Sequence, residues 1–203
     1  FTFPSEQHAD INFKSSEETL PDSKKLNAIS LLKKYRPKMI SSRLFASNYL
    51  DYYTQINYVG IYDSPLFKNN LKENRDSILI SCGKGGNMDS KIRSLINEFS
   101  VKSKPVSGVI FIEPSLYLNN MPSWIKPADY SDSMYKVVGA AIIRPGVGTV
   151  SDCILYEIKM FMVFEPENNE MRFNAQKISD NNLGQVFNKV TDAWLSSIEF
   201  MKA

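Results

Sequence analysis

At 203 residues, with 43% hydrophobic and 23% charged positions, the chain has the make-up of an ordinary globular protein with room for one α/β core, which excludes disorder as its general state. Its 24 basic and 22 acidic residues leave a net charge of +2 and most of the cations are Lys, so the field is too weak and too poor in bidentate Arg to point to nucleic acid or an anionic membrane surface. No apolar run is long enough for a transmembrane helix, and one histidine, His8, without a CxxC pair excludes the usual zinc site; no metal and no cofactor is expected.

Residues 1–23 mix Ser, Glu, Asp and Pro with a few aromatics and show no sustained period, which predicts an extended arm followed by a single α/β domain over residues 24–203. Phe1, Phe3, Ile11 and Phe13 are apolar for such an arm and either pack back on the domain or dock on a neighbouring subunit. The start at Phe1, without an initiator Met, fits a processed or trimmed product.

Asp22 or Ser23 can cap a helix through Leu26, Ile29, Leu31, Leu32 and Tyr35 that Pro37 ends, with the basic run 33–38 as its solvated carboxyl end or, in the alternative, a contact for a phosphate or lipid headgroup. Residues 40–53 are ambiguous, with helical spacing at Leu44, Phe45, Tyr49 and Tyr53, and Ile56 to Tyr62 alternates as a strand. A strand at Ile78 to Cys82, a helix from Asp89 to about Lys102 and a short apolar strand at Val109 to Ile112 form the pattern of parallel crossovers. Pro114, Pro122 and Pro127 mark residues 113–133 as a long irregular loop. Tyr135 to Ile143 is the next strand, closed by a turn at Arg144 to Thr149.

The stretch Cys153 to Phe164 carries apolar residues at every even position and reads as the central strand of the sheet. After Glu165 to Glu170, the alternation of Met171, Phe173 and Ala175 predicts a hairpin partner. From Asp180, the spacing of Leu183, Val186, Phe187, Val190, Trp194, Leu195, Ile198 and Met201 predicts one amphipathic helix on that hairpin. The expected class is therefore α/β (α+β): a mixed sheet with helices packed on it, closing in a C-terminal hairpin and helix.

No catalytic signature accompanies this scaffold, and the chain is not expected to be an enzyme. Gly83, Lys84, Gly85, Gly86 and Asn87 follow a strand and precede a helix, where backbone N–H groups could cradle a nucleotide or another anion. The spacing matches neither the P-loop nor the full dinucleotide fingerprint, and the alternative is a tight connection capped by Asn87 or Asp89. Asp63, Asp76, Glu113, Asp129 and Asp132 are candidate acids, but no spacing places two of them together. Trp124 and Tyr130, with the arm residues, offer a contact surface, or else plug the core under their loop. Cys82 and Cys153 either form a disulfide or are buried thiols.

The segments Val137 to Ile143, Cys153 to Phe164 and Leu183 to Ile198 resemble, in topology, the periplasmic fold shared by the amino-terminal domain of the Tol-system propeller protein and the curli-channel lipoprotein family. That family carries a tryptophan in the second hairpin strand after a Gly-containing turn, where this sequence has Phe173 after Glu165 to Glu170. The resemblance implies a non-catalytic structural or adaptor subunit of a bacterial envelope assembly, periplasmic or outer-membrane-associated, in contact with other subunits of a secretion or transport complex. The alternative is a small α/β protein binding a nucleotide or other anion at the Gly83 to Asp89 loop.

Overall fold

The computed structural model describes residues 30–46, 55–60, 74–82, 88–99 and 104–203. Residues 30–35 are helical, and β1 (Lys38–Ser42) pairs in parallel with β2 (Gln55–Val59) as a two-stranded sheet. There follow β3 (Ser77–Ser81), α1 (Met88–Phe99), β4 (Ile110–Ile112), a 3₁₀ turn (Pro114–Leu116), β5 (Ile125–Pro127), α2 (Asp132–Tyr135), β6 (Val138–Ile143), α3 (Val147–Leu155), β7 (Lys159–Met162), α4 (Asn169–Asp180), β8 (Gly184–Val186) and α5 (Val190–Lys202). The last six strands form one sheet in the order β5-β4-β3-β6-β7-β8, every pair parallel. The chain starts in the middle, winds outward to β5, returns to β6 and winds the other way. This is the doubly wound topology, and its switch point lies between β3 and β6.

Parallel strands covered on both faces need apolar side chains on both, so they read as short continuous runs and not as alternations. Ile78, Ile80, Ile110, Ile112, Ala140, Ile142, Phe161 and Val163 point to one face, where Ile92, Leu95 and Ile96 of α1 and Val190 and Ala193 of α5 cover them. Leu79, Ala141, Ile143, Met160 and Met162 point to the other, under Met134 and Tyr135 of α2, Val150 and Cys153 of α3 and Ala175 and Ile178 of α4.

The α/β class holds, and the strand, helix and strand expected between Ile78 and Ile112 stand as β3, α1 and β4. The C-terminal hairpin does not. Cys153 to Leu155 end α3, a turn passes through Glu157 at φ 52°, and only Lys159–Met162 is strand. Val150 and Cys153 lie three residues apart on the buried side of α3, a spacing the two-residue pattern concealed. The predicted partner strand at Met171 to Ala175 is helix α4. Its buried positions are Met171, Phe173, Asn174, Ala175 and Ile178, and the helical stripe through 171, 174, 175 and 178 includes a polar residue and so escapes a count of apolar positions. The single helix expected from Asp180 divides into β8 and α5, and Leu195 faces solvent at 60% exposure although its spacing had placed it on the buried stripe. The long loop 113–133 conceals edge strand β5, and the first residues of the ambiguous segment, 40–42, complete β1. The arm 1–23 lies outside the described residues.

Two glycines set the spacing at the amino edge of the sheet. A Cβ on Gly139 would lie 2.2 Å from the Arg75 carbonyl oxygen, and one on Gly108 would lie 2.4 Å from that of Asp76. These neighbours are backbone and cannot rotate away. Arg75 in turn spans the same edge, donating from Nε and Nη2 to the Val138 carbonyl and from Nη1 to that of Glu157. Gly139→Ala is therefore expected to lower unfolding free energy by about 2 kcal/mol, as for other overpacked cores, read from denaturant midpoints. An unchanged midpoint would show that the 74–76 backbone yields.

Candidate functional site at the carboxyl edge of the sheet

In open doubly wound sheets, ligands sit beyond the carboxyl ends of the strands at the switch point, where the diverging crossovers leave a crevice. Here that edge gathers polar side chains at the ends of five strands, β3 to β7. The ladders continue past the strand ends: Glu113 N–H donates to the Ile80 carbonyl (2.9 Å), Arg144 N–H to that of Ser81 (3.2 Å) and Ala128 N–H to that of Ile112 (2.7 Å). Residues just after β4 and β6 are thereby fixed beside the end of β3, and those just after β5 beside the end of β4.

Three hydroxyl and carboxylate groups form a closed triangle there. The Ser81 hydroxyl donates to Glu113 Oε2 at 2.9 Å, the Tyr130 hydroxyl donates to the same oxygen at 2.7 Å, and the two hydroxyls are 3.0 Å apart. Ser81 is buried, whereas Tyr130 is 38% exposed and covers the carboxylate from outside. Burial, opposed by the Ser81 hydrogen bond and reinforced by the Glu113 carboxylate, holds the Tyr130 phenol well above its usual pKa, and it is a donor at neutral pH. Tyr130 reaches this position with φ at 53°. The Asp129 carboxylate steadies that turn by accepting from Ser131 N–H (3.0 Å) and Ser131 Oγ (2.8 Å), bonds that hold its pKa below the ordinary value.

A second group lies across β6 and β7. Arg144 follows β6, and its Nε is 3.1 Å from Glu165 Oε2, with side-chain exposures of 15% and 8%. Asn174 of α4, itself buried, donates to the Pro145 carbonyl at 2.9 Å and so ties α4 to the Arg144–Gly146 turn. Gly146 caps α3 with open space where a Cβ would stand, leaving the amino end of that helix uncrowded. Behind it, Tyr135 and Tyr156 stack with ring centroids 5.0 Å apart. Tyr135 OH donates to Asp152 Oδ2 (3.0 Å) and Tyr156 OH to Asp132 Oδ1 (2.7 Å), which locks α3 against α2.

Of the acids singled out in the sequence, Glu113 joins the triangle at this edge and Asp129 steadies the turn that carries Tyr130. Asp76 lies at the opposite edge and accepts from the Ser107 hydroxyl, Asp132 pairs with Lys136 at 2.6 Å, and Asp63 lies outside the described residues. Gly83, Lys84, Gly85, Gly86 and Asn87, and the arm residues Phe1, Phe3, Ile11 and Phe13, also lie outside them. Trp124 is half-buried and packs against the α1 and α5 side of the core. Tyr130 is a member of the triangle. Cys82 and Cys153 are buried thiols on opposite sides of the sheet and form no disulfide, because the sheet itself stands between them. Sequence reasoning missed Ser81, Arg144, Glu165 and Asn174. The signal for Arg144 was a basic residue in a Gly-containing turn between a buried strand and a helix; Asn174 and Glu165 carried none.

Neither protein-family nor curated-sequence comparisons find a match for this chain. Solved structures do match in fold: the glycotransferase of kitacinnamycin, at 7% identity over 90% of this chain and 58% of its own length, and CalG4, the calicheamicin glycosyltransferase, at 13% identity over 90% and 51%, each with a TM-score of 0.57. The chain thus spans about half to three-fifths of the length of those enzymes, and at such identity the likeness is one of architecture. It overturns the resemblance to the Tol-system and curli-channel fold. The non-catalytic envelope adaptor, the expectation of no enzyme and the secretion and periplasmic associations fall with it, and the anion-binding alternative at the Gly83 to Asp89 loop gains no support. No helix of the described residues is long and apolar enough to cross a membrane.

Removing one partner of a buried ion pair leaves the other charge uncompensated, so Arg144→Ala is expected to cost about 3 kcal/mol, and a second change, Glu165→Leu, to recover most of it; chemical denaturation of both variants checks this. Burial holds the Asp152 carboxyl above its ordinary pKa, opposed by the Tyr135 hydrogen bond. A raised carboxyl favours the fold in acid and gives that contribution up as pH rises through the folded-state value. Tyr135→Phe raises it further. The variant should lose about 1 kcal/mol at neutral pH, with the deficit shrinking as the solution is acidified; a deficit independent of pH would place the loss in packing.

Proposed function

We propose that this chain is a sugar-transferring domain that holds a phosphate-activated sugar at the carboxyl edge of its six-stranded sheet. The observation that carries the reading is the doubly wound sheet, matched over 90% of the chain by two glycosyltransferases, with Ser81, Glu113, Arg144 and Glu165 collected at its switch-point edge. Fold alone does not give chemistry, so the weight rests on this set of side chains at the edge where such sheets bind ligands.

The chemistry asked of the domain is electrostatic. When a sugar leaves a phosphate, negative charge gathers on the phosphate oxygens, and groups already in place against that charge lower the barrier without having to reorganise. The uncrowded amino end of α3, with N–H groups that no side chain caps, and the Arg144 guanidinium beside it suit that task. Glu165 keeps Arg144 from collapsing on other acceptors, and Asn174 fixes the turn that carries it. The length of chain that those enzymes have in addition leaves room for a separate acceptor-binding part.

Calorimetric titration with UDP-glucose, UDP-N-acetylglucosamine, GDP-mannose and dTDP-glucose tests this. At least one should bind in the micromolar to millimolar range usual for enzyme substrates, accompanied by slow release of free sugar in the absence of an acceptor. A folded protein that binds none of them at millimolar concentration would refute the proposal.

A further inference from the structure

We infer that Glu113 is a hydroxyl-reading residue that accepts from the ribose diol of a ribonucleotide-linked donor, with Tyr130 holding the place of that diol until the donor arrives. The inference rests on the transferase reading and names the class of donor. Its first support is position. β3, α1 and β4 make the first strand, helix and strand of the doubly wound half, and Glu113 directly follows β4. At that point of the dinucleotide-binding fold an acidic residue hydrogen-bonds the ribose hydroxyl.

The second support is the bonding of the carboxylate. Both protein hydroxyls, Ser81 and Tyr130, donate to Oε2, which leaves Oε1 outside the triangle. Two hydroxyls 3.0 Å apart on one carboxylate form the pattern that a vicinal diol presents. The two protein donors differ in what they can do. Ser81 is buried in the last position of β3 and is fixed by the sheet. Tyr130 is 38% exposed, sits on a short turn with φ at 53° and approaches from the solvent side. Displacing its hydroxyl exchanges one phenol bond for ligand bonds and returns the phenol to water, a near-balanced exchange that a buried donor such as Ser81 could not make. The exposed ring that remains offers a flat face to the ligand.

The alternative that the triangle merely pins the 128–131 turn to the sheet makes a different forecast, because a purely structural bond does not distinguish ligands. Titrations of the chain with UDP, CDP, ADP and GDP, each also in its 2′-deoxy form, separate the two. The wild type should prefer the ribose form of the nucleotide it binds best by about tenfold, the worth of one hydrogen bond to a charged group. Glu113→Gln should lose most of that preference while binding the deoxy form as before. Tyr130→Phe, which keeps the ring and removes the competing hydroxyl, should retain the preference and bind the ribose form several-fold more tightly. Equal binding of ribose and deoxy forms by the wild type, or a preference that survives Glu113→Gln, overturns the inference and leaves the transferase reading intact. Failure of every sugar nucleotide to bind removes both together.

Discussion

Five consecutive buried residues in β3 impose the condition on which the rest of the molecule depends. A strand with no wet edge and no wet face cannot carry a polar side chain along its middle, since an unpaired polar group there costs several kcal/mol on the order found for transfer out of water. Its neighbour β6 meets the same condition with Gly139, Ala140 and Ala141, small enough to let helices close on both faces. Polar chemistry is therefore displaced to the two ends of this pair, and the ends have taken different roles. At the amino end, Arg75 turns each of its three side-chain nitrogens to a main-chain carbonyl, an arrangement that commits the guanidinium to holding the fold. The carboxyl end carries Ser81, Glu113, Arg144 and Glu165, whose partners are one another's side chains.

Side-chain partners of this kind can be exchanged, and main-chain partners cannot without undoing secondary structure. The Ser81–Glu113–Tyr130 triangle has one member on the solvent side, while the Arg144–Glu165 pair is almost wholly enclosed. The Tyr135–Asp152 and Tyr156–Asp132 bonds stand behind both, setting α3 against α2 so that the amino end of α3 keeps its place beside Arg144. Enclosed charge gives a fixed orientation, and the exposed phenol gives a place where the arrangement can change.

The parts of the fold legible from the sequence were those whose pattern depends on neighbours in the chain. β3, α1 and β4 announce themselves as an apolar run, a stripe at Ile92, Leu95 and Ile96, and another run. The last third was misread because burial on both faces removes the distinction between strand and helix. Cys153 to Phe164 is apolar almost throughout, and nothing in its spacing marks Glu157 as the point where α3 gives way to β7. Asn174 hides α4 in the opposite way, by standing in a buried stripe where an apolar residue would be counted and by finding its partner, the Pro145 carbonyl, 29 residues earlier. The site itself was scarcely legible. Glu113 and Tyr130 were noticed separately, one as an acid and one as a contact aromatic, and only the pairing of β3, β4 and β5 brings them within 2.7 Å.

The outermost strands of the sheet are three residues each, and β5 ends in an exposed Lys126 and Pro127. A proline has no amide hydrogen to lend, and a solvated lysine beside it resists being covered. An incoming peptide would find too little backbone on that margin to extend the ladder, so lateral growth into fibres is disfavoured from that side.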